Sequence, residues 1–463
     1  MRITQISFLL VLISILEVGR CAGVLQSTSP SRIRVEPGNH GFVDAAGAPF
    51  VPFGVTYYRP NTGWAPQVWT QFDAQATRRD FALLKKHGVN VVRVFISFGS
   101  FWKEAGALDS GGLAKFDRFL DLADEAGLYV HPTGPDRWEG MPAWTNGLSM
   151  SQPDGDPRCL DALSRYWRMF AERYHGRSTI WAYDLRNEPD VAWNGEGMRA
   201  AWNAWRNSRG EQPIQTPDES APPSAGALLE FQHFREHVAE EWVTRQADAI
   251  HAADPGALVS IGLIQSSIPA QRMSISHYSG FRPAAIARHL DFMELHYYPL
   301  ATGPYRYQSL TAETTNLSVL ESMAREAANP GLPLVISEFG WAGGGEFAGA
   351  SCTEAQQEQW CRRLVEVTSP LSCGWLNWGM YDHPEAQDVT KLTGLFTAGG
   401  KEKAWGASFS RLAARFRESP PQFAPLGDRP DLPWDRCIVS GEAMEQFRQT
   451  YLKAFSASAS HKP

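Results

Sequence analysis

The chain has 463 residues, 43% of them aliphatic or aromatic, which is enough for one large domain with a sizeable core. Its formal net charge of −7, with no basic run, excludes the positive footprint that a nucleic-acid partner needs. The 17 tryptophans are dense near motif-rich loops, where indole rings can stack on sugars but more often serve as core residues.

In chain order the first element is an export signal. Arg2 supplies a positive start, Ile6 to Leu16 is an apolar run, and Cys21-Ala22-Gly23 marks cleavage near Gly23, so residues 1–23 are the expected signal peptide. The run is shorter than the roughly 20 residues a bilayer span requires, and no later segment reads as a membrane helix. A secreted protein, extracellular or periplasmic, is the expectation. Arg20 before Cys21 fits a lipid-anchor site poorly. Exported chains keep disulfides. Cys352, Cys361 and Cys373 are close enough in sequence for one pair among them, the connectivity being open. The absence of a C-x-x-C pair argues against a cysteine zinc site or a redox motif.

After a polar, Pro-containing entry from Ser27 to Pro37, short apolar runs alternate with helical patterns. The candidate strands are Pro52–Tyr57, Asn90–Ser97, Leu128–Pro132, Ile180–Asn187, Ala257–Leu263, Asp291–Tyr297, Leu332–Glu338 and Gly374–Gly379. Most are apolar on both faces, as parallel strands covered by helices should be. Between them, stripes such as Leu163, Trp167, Phe170 and Tyr174 carry helical spacing, and Gly88, Gly127 and Gly331 sit where helices should stop. Eight strands alternating with helices predict an α/β fold, an eightfold (β/α) TIM barrel over residues 24–418. An open doubly wound sheet is the alternative. Val191 to Ala227, rich in Trp, Asn, Pro and Ser, interrupts the rhythm and predicts a long loop after the fourth strand, with Trp193, Trp202 and Trp205 facing a substrate cleft. Residues 419–463 form a Pro-rich tail and a short helix packed on or near the barrel.

Chemistry in such a barrel sits where strands end at the C-terminal face. The fourth strand ends in Asn187-Glu188-Pro189 and the seventh in Ser337-Glu338-Phe339-Gly340. A carboxylate after an apolar strand is costly to bury unless it is paired or used, and Pro189 ends the strand's hydrogen bonding so that Glu188 stays at the rim. Two carboxylates on one rim are what glycoside hydrolysis requires: one protonates the leaving oxygen, while the other attacks the anomeric carbon or activates water. Either Glu alone reads equally well as a salt-bridge partner. Arg93, inside the apolar Val91–Ile96, needs a buried carboxylate partner, and a glutamate on a neighbouring strand end would serve. His296 and Tyr298 follow the sixth strand and Trp378 ends the eighth.

Asn187-Glu188-Pro189 and Glu338-Phe339-Gly340, with His296-Tyr297-Tyr298 between them and Trp378 after, resemble glycoside hydrolase family 5 or a close relative in its clan of retaining barrel enzymes. The resemblance runs from about Phe50 to Phe416. It implies a retaining β-glycosidase with Glu188 as general acid/base and Glu338 as nucleophile. It also implies that Asn187 bonds the sugar 2-hydroxyl, that Arg93 and Tyr298 hold the nucleophile, that His296 supports the acid/base and that Trp378 floors the central subsite. Many members place a His at the end of the third strand. Here His131 falls too early, and Asp136 or Trp138 is expected in that space.

The expected substrate is a β-linked polysaccharide or oligosaccharide of mannan or glucan type, cut by an endo-acting monomer with no metal or organic cofactor. Exo action is the variant if the 191–227 segment blocks one end of the cleft. A non-catalytic carbohydrate-binding barrel is the rival reading, against which both glutamates count. His233-Phe-Arg-Glu236-His237 also matches the H-x-x-E-H pattern of inverted zinc peptidases. It lies in an amphipathic helix whose other face is Phe231, Phe234, Val238 and Trp242, and reads as a solvated outer face of the fourth barrel helix.

Overall fold

The computed structural model describes residues 30–459 except 39, 63–66, 220–223, 271–276, 300–309 and 348–349. The export segment expected at residues 1–23 lies outside the described residues.

Eight strands close into an all-parallel barrel: β1 (Phe53–Thr56), β2 (Val91–Ser97), β3 (Tyr129–Asp136), β4 (Tyr183–Asn187), β5 (Val259–Leu263), β6 (Met293–Tyr297), β7 (Leu334–Phe339) and β8 (Gly374–Asn377). They follow one another around the wall in chain order, and β8 pairs back onto β1. Every residue of β2 is buried, since barrel interior and helix layer cover its two faces. This is the eightfold (β/α) TIM barrel.

The helices begin and end on local chemistry. In α1 (Ala74–Lys86) the Asp73 carboxylate accepts from Gln75 N and Ala76 N. Asp109 caps α2 (Ser110–Ala126), which Gly127 stops in the left-handed region at φ 64°. Asp156 caps α3 (Pro157–Arg173), with Pro157 in the first turn. Then come α4 (Glu196–Ser208), α5 (Ala225–Ala253), α6 (Leu310–Ala328), α7 (Glu354–Thr368, with a Thr353–Gln356 capping box), α8 (Ala404–Glu418) and α9 (Gly441–Ala459). Tyr451 on α9 donates to Glu321 on α6 at 3.1 Å, and Arg429 in the tail bonds the same carboxylate at 2.7 Å. No helix among the described residues is long and apolar enough to cross a membrane.

A short antiparallel sheet, Arg34–Val35, Phe42–Val43 and Pro49–Phe50, caps the N-terminal end of the barrel. Phe42 meets Trp181 and Phe292 edge-on at 5.3 Å each. The opposite, C-terminal rim is left to present side chains.

Three expectations need correction. The third strand runs on to Asp136, because β2 keeps pairing with it: Phe95 with Thr133 and Ser97 with Asp136. Pro132 and Pro135 read as breakers only in isolation. The 191–227 segment is not a continuous loop, since α4 forms within it. Met198 and Trp202 make α4's buried face, and Trp202 packs on Phe231 and Phe234 of α5 at 5.5 and 5.0 Å. Finally, Cys361 and Cys373 are buried thiols, so the disulfide expected among Cys352, Cys361 and Cys373 is not formed. The Cys373 thiol instead faces Leu334 O at 3.4 Å, while Cys361 packs in the helix layer.

Candidate active site

Arg93 is the keystone of the C-terminal rim. The alternation of β2 turns this one cation into the barrel, fully buried, where solvent cannot serve it. Its Nη1 donates to Glu338 Oε2 at 2.8 Å, and its Nη2 donates to Asn187 Oδ1 at 2.8 Å and to Asp184 Oδ2 at 3.0 Å. Burial alone would lower the Arg93 pKa, but Asp184, Glu338 and Glu294 together raise it, so the guanidinium is a fixed positive charge.

Glu338, on β7, is 5% exposed. Besides Arg93, the Tyr298 hydroxyl donates to its Oε1 at 3.0 Å. Tyr298 is itself steadied by its backbone N–H, which donates to Gln265 Oε1 at 2.9 Å. Burial raises the Glu338 pKa, and His296 and Arg93 work against that rise.

Glu188 follows β4 with a left-handed backbone, φ 48°, a conformation that costs a non-glycine residue on the order of 1–2 kcal/mol. Its N–H donates to Gly262 O at 2.9 Å, which anchors the turn and aims the carboxylate over the rim. His296 Nδ1 stands 3.1 Å from Glu188 Oε1 and 3.6 Å from Glu338 Oε2, between the two carboxylates. Burial lowers the His296 pKa, which favours the neutral ring, and Nδ1 is the ring nitrogen that bonds Glu188. Burial also pushes the Glu188 carboxyl up to about 7, with only Arg93 pulling the other way. One carboxylate oxygen each of Glu188 and Glu338, and one His296 nitrogen, lie within 4.8 Å of one another.

Trp378 is half-buried after β8. Its N–H donates to Phe339 O at 2.7 Å and its indole donates to Thr390 Oγ1 at 2.9 Å, so the ring is held by both ends. Tyr58, after β1, lies 5.6 Å from this ring and stacks on His383 at 3.9 Å.

The structure thus gathers Arg93, Asn187, Glu188, His296, Tyr298 and Glu338 into one cluster of hydrogen bonds and close charge contacts. It does not bring the other expected residues into that cluster. Trp193 is buried, with its ring against Phe231 and Arg235 and its indole donating to Pro217 O at 2.8 Å. Trp202 and Trp205 stack on each other at 5.3 Å. These rings fasten the insertion to α5 instead of facing a cleft. Asp136 is turned inward at 4% exposure and accepts from Trp138 N at 2.7 Å, so it offers no surface to a sugar. Trp138 stays half-buried just beyond the β3 end. His131 lies deeper in the barrel, 3.0 Å from Glu294.

Asp184 and Glu294 are members of the buried network that the sequence reading passed over. Each is a charge inside an apolar strand, the same signal that singles out Arg93. Among the described residues, the clusters with metal-ligand atoms in reach are His131/Asp184/Glu294 and Glu188/His296/Glu338. Arg93 already supplies positive charge between them. The His233–His237 motif joins neither: His237 is exposed, and Glu236 is buried under the Tyr278 hydroxyl at 2.7 Å.

The family model for cellulase, glycosyl hydrolase family 5, matches residues 43–384. No curated protein matches the chain. Among solved structures, a GH5_18 from Streptomyces cattleya in complex with Manβ1-4GlcNAc is similar at TM-score 0.64 and 19% identity, over 88% of this chain and 92% of that one. An exo-β-1,4-mannosidase from Opitutaceae bacterium strain TAV5 gives TM-score 0.62 and 22% identity, over 85% and 64%. A β-galactosidase from Marinomonas ef1 gives TM-score 0.61 and 15% identity, over 79% and 59%. Likeness at these identities speaks for the fold. The family match over most of the chain goes further: this protein belongs to glycoside hydrolase family 5 and is a glycoside hydrolase.

Proposed function

We propose that the protein is a retaining β-glycosidase acting on β-linked glycans of mannan or glucan type, with Glu338 as nucleophile and Glu188 as acid/base. The observation that carries this reading is the approach of the two carboxylates, with one oxygen of each inside 4.8 Å. The carboxyl groups of a retaining pair stand roughly 5–5.5 Å apart and those of an inverting pair about 6.5–9.5 Å, and oxygens this close favour the shorter separation.

The surroundings support the division of labour. Arg93 and Tyr298 both donate to Glu338, which favours the charged form that attacks the anomeric carbon. Glu188, pushed up to about 7, holds a proton for the leaving oxygen at the start of the cycle. As the C–O bond breaks, Glu188 gives up that proton and Glu338 forms the glycosyl ester. Glu188, now a carboxylate, takes a proton from water, which attacks the same carbon and releases Glu338. In this reading Asn187, held by Arg93, bonds the sugar hydroxyl next to the reacting carbon, and Trp378 floors the subsite.

β-Mannosides are the first substrates to test, supported by the Manβ1-4GlcNAc complex and the exo-mannosidase among the structural neighbours. The latter also favours a second reading alongside endo attack on polymer, the removal of single mannosyl units. Product analysis on Manβ1-4GlcNAc, manno-oligosaccharides, mannan, cellulose, β-glucan and xylan tests both. Release of mannose alone supports exo action, and mixed oligosaccharides support endo action. No cleavage of any β-linked glycan would overturn the reading. Residues 1–23 are read as an export signal on the pattern of Arg2 and Ile6–Leu16, and N-terminal sequencing of the mature protein from the medium or periplasm tests that.

A further inference from the structure

Three buried ionisable side chains lie in the barrel beneath the carboxylate pair and take no part in the two displacements. Asp184, His131 and Glu294 are each 0% exposed, with one ligand-type atom of each within 4.8 Å of the others. Their hydrogen bonds fix their charges. Asp184 Oδ2 accepts from Arg93 Nη2 at 3.0 Å and from Thr133 Oγ1 at 2.9 Å. Its Oδ1 accepts from the N–H groups of Gly262 at 2.9 Å and Arg186 at 3.2 Å. Donors reach both oxygens, so a proton on either would face another hydrogen, and Asp184 is an anion. His131 Nδ1 lies 2.9 Å from Ala182 O and its Nε2 lies 3.0 Å from Glu294 Oε1. Ala182 O takes the Nδ1 hydrogen, and although burial works against its charge, His131 and Arg93 hold the Glu294 carboxyl below its ordinary range, so Nε2 carries a hydrogen too: His131 is an imidazolium and Glu294 its carboxylate.

With Arg93, the layer holds two cations and two anions drawn from four strands, and Glu338 is the fifth charge above it. Stability does not call for this arrangement. Barrel interiors fill with branched apolar residues, and a buried ion pair is often no more stable than its apolar replacement. The groups facing one another are few. Asp184 faces Glu294, Arg93, His131, His296 and Arg186, and Arg93 faces Asp184, Glu338 and Glu294. Burial works against the His131 charge, but Glu294 outweighs it and raises the pKa, in keeping with the geometry.

We propose that Asp184 and His131 are positioning residues which, through Arg93 and Glu294, set the pH window in which Glu338 is charged while Glu188 is protonated. The proposal rests on the carboxylate roles given above. Each residue acts with its own sign. Removing the Asp184 anion makes both glutamates easier to ionise, and removing the His131 cation makes both harder to ionise.

The test is the pH profile of kcat/KM on an aryl β-glycoside, with thermal melts as a control for folding. Asp184→Asn should move both limbs down by on the order of one pH unit, and His131→Gln should move both up by a similar amount. The double variant should return close to the wild-type window. Should one of the single variants fail to fold, the other still decides by the sign of its shift. Limbs that stay fixed, or move the same way when an anion and a cation are removed, would overturn the proposal. That failure is separable from failure of the carboxylate roles, which would show in the wild type as a missing bell or as full activity in Glu338→Ala.

Discussion

Gly262 on β5 leaves the space that the His296 ring fills: a Cβ there would stand 2.7 Å from Nε2 and 2.8 Å from Cε1. The same Cβ would come within 3.3 Å of Asp184 Oδ2. All of these groups are buried, so none can swing aside. Gly262→Ala is expected to drive the imidazole out of its 3.1 Å contact with Glu188. An overpacking cost of about 1–3 kcal/mol, felt largely at the reacting pair, corresponds to roughly 10- to 100-fold in kcat. Steady-state kinetics beside a thermal melt checks this, and unchanged kcat would mean that the His296 contact contributes little to turnover.

Trp202 is 1% exposed and packed between Trp205, Phe231 and Phe234. Trp202→Ala should cost about 3–5 kcal/mol of stability through the cavity it leaves. KM on polymer and on a small aryl glycoside should stay alike. A KM rise confined to polymer, with no loss of Tm, would place this ring in the cleft after all.

The barrel is legible because its strands are runs buried on both faces, a pattern that survives small errors at the ends. Arg93 and the two strand-end glutamates are legible because a lone charge in an apolar strand must have a use. Asp184 and Glu294 carry the same mark, but Asp184 sits beside Arg186 and Asn187, and Glu294 beside His296, so each reads as strand-end polarity. The helix in the 191–227 segment is hidden for another reason. Its composition suggests a loop, while Met198, Trp202 and Trp205 at spacings of four and three residues form a helical stripe. Pairing across strands, which carries β3 past two prolines, leaves no local trace.

The raised Glu188 pKa ties stability to pH with a definite sign. Unfolded, this carboxyl titrates near 4.3; folded, it titrates near 7. Between those values the folded state holds the extra proton, so stability falls as pH rises from about 4.5 to 7 and is level beyond. The side chain keeps 28% exposure, which discounts the loss to on the order of 2 kcal/mol. Glu188→Gln should therefore flatten the fall in Tm between pH 5 and 8 and melt higher than wild type at pH 8. Parallel slopes for the two proteins would mean that Glu188 titrates normally in the fold.

The two glutamates should fail in different ways. On the proposed roles Glu338 has no substitute in either displacement, so Glu338→Ala should lose nearly all activity on every substrate. In the proposed cycle Glu188 acts first as an acid, and a nitrophenolate leaving group barely needs its proton. Glu188→Ala should therefore lose far more activity on natural glycan than on an aryl glycoside. The second step then lacks its base, so the glycosyl-enzyme should accumulate and mass spectrometry should find it on Glu338. Azide, small enough to enter where the carboxylate stood, should speed turnover and yield a β-glycosyl azide. Two displacements also restore configuration, so the first sugar released by wild type should be the β anomer by proton NMR. An α product would mean direct attack by water, against which the close approach of the two carboxylates argues. That result would remove the nucleophile role from Glu338 even if both residues proved essential.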